Sequence, residues 1–339
     1  RLIPQHHKLA GLNVKTSNLC SEITLPTGLD KDGHDRTAVC CLSSLNLETY
    51  DEWKDEPNFI EDVMRFLDNV LTDFINRAPD SFKDAKYSAM RERSVGLGVM
   101  GLHSFLQKKS IPLESVMSKV WNKKIFEHIQ THTDKASKKL AEERGACPDA
   151  EEYGFKERFS NKTAIAPTAS ISIICGGASP GVEPFAANSY THKTLSGSYN
   201  VRNRYLKEIL EKYGKNDEET WSTITTNQGS VSHLDFLTDL EKDVFKTAFE
   251  LDQKWIVELG AERTPYVSQA QSINIFLPAD VHKKELHQIH FQAWKKGLKS
   301  LYYCRSKSIQ RAENINNELP SEKQSSEDEK NYEECLSCQ

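Results

Sequence analysis

At 339 residues, with a formal net charge of −5 and a sequence pI near 6.2, the chain is long enough for a full hydrophobic core and carries no basic footprint for nucleic acid. No apolar run approaches the roughly 20 residues that cross a bilayer, and no signal-peptide pattern opens the sequence. Its eight cysteines therefore point to reduced, catalytic or metal-binding thiols in a cytoplasmic setting rather than to a disulfide framework, with about half of them expected as small buried hydrophobes.

Residues 15–50 read as two extended segments, Leu19 to Leu25 and Thr37 to Leu45, separated by a Gly/Asp-rich turn from Gly28 to Gly33. From Glu52 to about Ala146 the pattern turns helical. Phe59, Val63, Phe66, Val70, Leu71 and Phe74 recur at three- and four-residue steps, the stripe of a packed helix. The run Ser94 to Gly101 is small, apolar and glycine-spaced, compatible with a helix packed closely on a neighbour. Lys119 to Arg144 reads as a solvated amphipathic helix ending near Gly145.

A second strand-like block begins at Thr163, passes Pro167-Thr168-Ala169-Ser170-Ile171-Ser172 and enters the small-residue run Cys175 to Gly181. An amphipathic helix from about Asp243 to Gly260 leads into a strand centred on Ile273-Asn274-Ile275. Asp280 is placed to cap a helix running to Ser300, and Leu301 to Cys304 reads as a further strand. Helices alternating with short apolar strands indicate an α/β plan with parallel strands. Residues 1–305 are read as one α/β domain. From about Lys307 the composition is polar and acidic, so 306–339 is expected as a flexible tail carrying Cys335 and Cys338.

Three features carry chemistry. Asn18, Cys20 and Glu22 occupy alternate positions, and on an extended segment residues i, i+2 and i+4 share one face. An amide, a thiol and a carboxylate would then look into one space, where a thiyl radical takes a hydrogen atom from a sugar carbon and the carboxylate accepts a hydroxyl proton. The plain alternative is a half-buried strand with a core cysteine and a surface glutamate. Of the adjacent Cys40 and Cys41, only one can face the same pocket, and the other is assigned to packing. Thr168 to Ile171 forms a hydroxyl-rich turn before a helix start, suited either to a phosphate or to plain capping, and it lacks the lysine and glycine spacing of a P-loop. Tyr302 and Tyr303 are either one buried and one exposed strand phenol or a short relay for an electron and a proton. The terminal Cys335-x-x-Cys338 fits dithiol exchange better than zinc, since no histidine lies beyond His290.

Six runs, in order, carry a resemblance: Ser17-Asn18-Leu19-Cys20-Ser21-Glu22-Ile23; Ala38-Val39-Cys40 with Leu42 to Leu47; Ala166 to Ser170; Gly181-Val182-Glu183-Pro184; Leu301-Tyr302-Tyr303; and Glu334 to Cys338. Together they are similar to the large subunits of class I ribonucleotide reductases. The resemblance implies a ten-stranded α/β barrel with a central finger loop, of which this chain holds the later strands, plus the flexible tail.

It also implies roles. Cys20 would carry the thiyl radical, Glu22 would be the base for the 3′-hydroxyl, and Asn18 would hold substrate hydroxyls with Ser17 beside it. Cys40 would be one of the reducing dithiol, selected over Cys41 by its place relative to the Leu42 to Leu47 run. Thr168, Ala169, Ser170 and Ile171 would hold the substrate diphosphate, Tyr303 and Tyr302 would deliver the radical, and Cys335 and Cys338 would re-reduce the active site. The chain itself would bind no cofactor. The radical would come from a small subunit with a di-iron centre and tyrosyl radical, and thioredoxin or glutaredoxin would serve as reductant.

With 17 residues before Asn18 and Arg1 at the start, the expectation is the C-terminal half of a large subunit, either a split gene product or an excerpt. Such a chain would be inactive without an N-terminal half chain that supplies the thiol partner of Cys40. A coenzyme-B12-dependent reductase, which needs no tyrosine relay, a non-catalytic regulatory remnant and a simple dithiol oxidoreductase are the competing readings.

Overall fold

The computed structural model describes residues 3–39, 41–194 and 197–306. Five parallel segments lie side by side in chain order. Strand β1 (Leu42–Asn46) pairs with β2 (Gly96–Met100), Leu42 opposite Gly96. Leu97 bridges Thr163, and Ile165 bridges Gln271, both in parallel. Strand β3 (Ile275–Leu277) then pairs with β4 (Cys304–Ser306), Ile275 opposite Cys304. Parallel neighbours need a crossover, and helices supply it. Helices α1 (Phe59–Arg77) and α2 (Lys83–Glu92) follow β1, and α3 (Val116–Arg144) follows β2. The short α4 (Ile171–Ile174), α5 (Arg204–Lys212) and α6 (Gln253–Arg263) come next, and α7 (Lys283–Lys295) joins β3 to β4. The α/β plan read from the sequence is therefore present. Among the described residues no helix is long and apolar enough to cross a membrane.

Several local expectations are corrected. The Ser94 to Gly101 run is strand β2, not a close-packed helix, and all five of its residues are buried. Covered on both faces, such a strand shows a near-continuous apolar run without alternation. Its glycines serve close approach: a Cβ on Gly98 would overlap the Ala164 carbonyl oxygen, and one on Gly96 would overlap the Leu42 side chain. On α1, Phe66 and Val70 are exposed, and the buried face is Ile60, Met64, Leu67 and Leu71. Of the expected stripe, Leu71 is in the core and Phe59, Val63 and Phe74 pack against it, so the expectation lay toward one edge of a broad apolar face.

The buried face of α1 joins Ile125, Phe126, Ile129 and Leu140 of α3 in the main core. Helix α3 is capped by Ser115, whose hydroxyl accepts from Ser118 N at 3.1 Å, and it ends at Gly145 in a left-handed conformation (φ +87°) as the sequence implied. The single helix expected over Asp243 to Gly260 is two, Asp239–Val244 and α6, because Asp252 caps the second by accepting from Lys254 N at 2.9 Å. Likewise His282, not Asp280, caps α7.

Within the main core Asp68 is fully buried and is held by Arg93, Arg144 and Arg158 at 2.7 to 2.9 Å. Burial alone would raise its pKa, but these guanidinium groups keep the carboxyl below its usual range. A second core, not anticipated from the sequence, packs Tyr205, Leu206 and Leu210 of α5 against Trp221, Ile224 and Phe245. It lies alongside an antiparallel hairpin of Ser189–Thr194 and Gly197–Arg202.

The glycines of β2 supply a stability test. Gly98→Ala forces a methyl onto backbone that cannot retreat, so it should lower stability by about 1–3 kcal/mol, seen as a lower denaturation midpoint at unchanged m-value.

Candidate active site

Residues 18–21 form a turn rather than a strand. Ser21 N donates to Asn18 O at 3.1 Å, and Ser21 is left-handed (φ +66°). Alternation of faces therefore does not govern Asn18, Cys20 and Glu22; the turn and its anchorage set where they lie. Ile23 N donates to Asn18 Oδ1 at 3.0 Å, closing the turn from within. Ala270 N donates to Glu22 O at 2.8 Å, Thr24 N donates to Gln269 Oε1 at 3.1 Å, and Ser300 Oγ donates to Ser21 O at 3.0 Å. The hydroxyl of Ser272 bridges the Cys20 carbonyl and Glu22 Oε2, the latter at 3.0 Å. Residues 269–272 belong to the fourth parallel segment, so the loop hangs from the sheet itself.

Cys20 is 2% exposed, and its thiol donates to Tyr302 OH at 3.4 Å. The rings of Tyr302 and Tyr303 lie 4.0 Å apart at 32°, and Tyr303 is 42% exposed. A line of three side chains thus runs from the surface to a buried sulfur. Sequence neighbours on a regular strand could not stack in this way. The backbone departs from regular pairing because Tyr303 N donates to the Asn274 side chain at 3.0 Å, while Tyr302 N donates to Ile273 O at 2.8 Å. Burial, then the contacts with Cys20 and Tyr303, push the Tyr302 phenol well above its ordinary pKa, so it keeps its proton at neutral pH.

Glu22 is fully buried. Burial raises its pKa, partly offset by the Asn18 amide, its own backbone N–H and the Ser272 hydroxyl. Its Oε1 is buried with no hydrogen-bond partner among the described residues, an acceptor without a donor. Ser17 is exposed, and its hydroxyl donates to Asn18 O at 3.1 Å. Cys41 is half-buried against the main core with its thiol pKa raised by burial, which fits a packing role. Cys40, Cys335 and Cys338 lie outside the described residues.

Of the Thr168 to Ile171 turn, Ala169 lines a separate cleft of about 450 Å³, with Pro167, Ser172 and Ile173 beside it. Thr168 is buried and left-handed (φ +54°), with Oγ1 accepting from Gly181 N at 2.7 Å and its carbonyl accepting from Ser172 N at 3.1 Å. Ala169 is exposed and Ser170 and Ile171 are half-buried at the start of α4. Cys20 and Tyr302 do not line this cleft, but they are linked to it. Glu183 in its wall accepts from Asn274 Nδ2 at 2.6 Å, and Asn274 is the residue that fixes Tyr303. Ser272, Asn274 and Glu183 were given no role from the sequence. The available signal was polar side chains inside an apolar strand, Ser272 and Asn274, and a glutamate inside the Gly181 to Pro184 run. Among the described residues no His/Cys/Asp/Glu group is arranged to hold a metal.

Comparison with known proteins places this geometry. The family described as ribonucleotide reductase, barrel domain, matches residues 4–157 and 149–304. The ribonucleoside-diphosphate reductase large subunit of Invertebrate iridescent virus 6 is 52% identical over 300 residues, covering 87% of this chain and 31% of that protein. That of Invertebrate iridescent virus 3 is 46% identical over 312 residues, covering 91% and 48%. The solved class Id ribonucleotide reductase alpha subunit of Actinobacillus ureae superposes with a TM-score of 0.83 at 39% identity, covering 90% of this chain and 56% of that one. The chain thus spans from under a third to just over half the length of these relatives, and the likeness supports an α/β barrel fold. With the barrel-domain match running across nearly all the described residues, the chain belongs to the ribonucleotide reductase large-subunit family.

Proposed function

We propose that the chain is the catalytic barrel part of a ribonucleoside-diphosphate reductase working through a thiyl radical on Cys20. The observation that carries this reading is the 3.4 Å contact from the buried Cys20 sulfur to the Tyr302 hydroxyl, with the Tyr303 ring stacked beyond it toward solvent. A radical delivered to Tyr303 by a small subunit, from its di-iron and tyrosyl centre, passes to Tyr302. The phenoxyl oxygen of Tyr302 then takes the hydrogen atom of the Cys20 thiol. The thiyl radical removes the 3′-hydrogen of the ribose while Glu22 accepts the 3′-hydroxyl proton and Asn18 holds the hydroxyls. The 2′-hydroxyl leaves as water, and Cys40 and a second thiol give up two electrons and two protons to become a disulfide. Cys20 returns the hydrogen atom to the 3′-carbon. The orphaned Oε1 of Glu22 suits a hydroxyl donor that arrives with substrate.

The same reading gives Thr168, Ala169, Ser170 and Ile171 the substrate diphosphate, with Ser17 near the substrate side of the loop. Cys335 and Cys338 restore the dithiol and are recharged by thioredoxin or glutaredoxin. Among the described residues β1 and β4 each have a strand neighbour on one side only, which suits a barrel completed by an N-terminal half chain. The tyrosine pair favours a separate radical-bearing subunit over a coenzyme-B12 reaction.

Turnover assayed with small subunit and reductant should appear when an N-terminal large-subunit half is added; turnover by the 339-residue chain without it would overturn the split-barrel reading. Tyr302→Phe should abolish turnover while costing only about 1 kcal/mol for the lost hydrogen bond, measured as a denaturation midpoint; full activity in this variant would remove the relay from the mechanism.

Glu22→Gln should cut the rate by about 10²–10⁴. Because the folded-state pKa of Glu22 is raised, its ionised form costs stability once the pH rises above the ordinary value of 4.5. The Gln variant should accordingly match wild type in acid and equal or exceed it in midpoint at neutral pH. The acid limb of wild-type turnover should sit above pH 4.5 for the same reason.

A further inference from the structure

Three arginines line the 450 Å³ cleft, and their partners sort them. Arg202 is paired with Glu218 at 2.5 Å and lies over the Trp221 ring. Arg305 lies over the Tyr303 ring at 5.8 Å. Arg204 has no ion pair or hydrogen bond among the described residues, although the residues on either side of it are pinned. Asn203 caps α5, its Oδ1 accepting from Tyr205 N at 3.0 Å while its Nδ2 donates to Gln107 Oε1 at 2.8 Å and to Asn188 Oδ1 at 2.9 Å. The hydroxyl of Tyr205 donates to Glu48 Oε1 at 2.7 Å. The residues flanking Arg204 are therefore held in place, while Arg204 itself is exposed with its charge unspent.

That charge lies against the phosphate-loop side of the cleft. A Cβ on Gly176 would meet Arg204 Nη2 at 3.4 Å, and one on Gly177 would meet it at 3.8 Å. These glycines directly follow α4, a helix of about 6 Å whose other end is the Thr168 to Ile171 turn. Neither of the cleft's two carboxylates forms an ion pair with this guanidinium among the described residues; Glu48 accepts the Tyr205 hydroxyl and Glu183 the Asn274 amide. An unpaired, forked cation in the wall of a cleft that Ala169 and Ser172 also line matches a bound phosphate better than any protein group present.

We propose that Arg204 recognises the outer phosphate of a ribonucleoside diphosphate whose inner phosphate sits on the Thr168 to Ile171 turn, which makes it a specificity residue for diphosphates over monophosphates. This rests on the functional reading above. The test titrates CDP, CMP and inorganic pyrophosphate onto the 339-residue chain and its R204A and R204K variants. R204A should weaken CDP and pyrophosphate about 10- to 100-fold and leave CMP little changed, and R204K should recover most of the loss. Unchanged CDP affinity in R204A, an equal loss for CMP, or no binding of CDP and pyrophosphate to the wild type would each overturn the assignment. The radical reading is judged separately, by the Tyr302 variant and the complementation assay, so the two can fail independently.

Discussion

The site depends on one anchorage, the hanging of the 18–22 turn from the fourth parallel segment. Three groups, the Ala270 N–H and the Ser272 and Ser300 hydroxyls, hold the carbonyls of residues 20–22 and the Glu22 carboxylate. A loop crossing the interior of an α/β sheet would otherwise bury backbone groups without partners, each at a cost comparable to a lost hydrogen bond. Gln269 extends the arrangement outward by accepting from Thr24 N and donating to Val95 O at 3.1 Å in each case, which ties the loop to the edge of β2 as well. Lys299 secures the same segment from the other side through the Ser268 and Gln269 carbonyls. Position of the thiol is thus set by the sheet, not by the local conformation of the loop.

Burial then shapes the chemistry of what the anchorage places. Glu22 and Tyr302 both lie where charge is poorly solvated, and both are shifted toward their neutral forms. For the tyrosine this keeps the phenolic proton with the oxygen at neutral pH. For the glutamate it produces a stronger base once ionised, at the expense of stability. The contrast with Asp68 is instructive. That carboxyl is as deeply buried, yet three arginines hold it ionised, and it serves packing of α1 against α3 rather than proton transfer. Identical side-chain chemistry is turned to structure or to reactivity by the partners within about 3 Å.

The cleft beside Ala169 and the thiol site are distinct spaces joined through Asn274, which touches both Glu183 and Tyr303. The second core around Tyr205 and Trp221 supplies the far wall of the cleft, and so brings Arg204 to the phosphate-loop side. No apolar periodicity drew attention to that region, because its helices are short and its hydrophobic residues are spread over several turns.

What was readable from the sequence follows from chemistry that survives without coordinates. The order of the six motifs, the alternation of helices with short apolar strands and the end of α3 at Gly145 depend on residue type and spacing, so family and parallel α/β plan were accessible. The strand identity of Ser94 to Gly101 was not, since a segment buried on both faces loses the alternation that distinguishes strand from helix. The buried face of α1 was legible only in part, because its apolar arc is wide and the core takes one side of it more deeply, leaving Phe66 and Val70 exposed. The strand alternation expected to align Asn18, Cys20 and Glu22 is not used by the fold: a left-handed Ser21 and long-range hydrogen bonds to Ser272, Ala270 and Ser300 set the conformation of that segment instead. The sequence by itself determined which reactive groups the chain owns. Tertiary structure alone decided that Cys20 meets Tyr302 at a sequence separation of 282, because hydrogen bonds and burial act on distance in space, and no local rule encodes it.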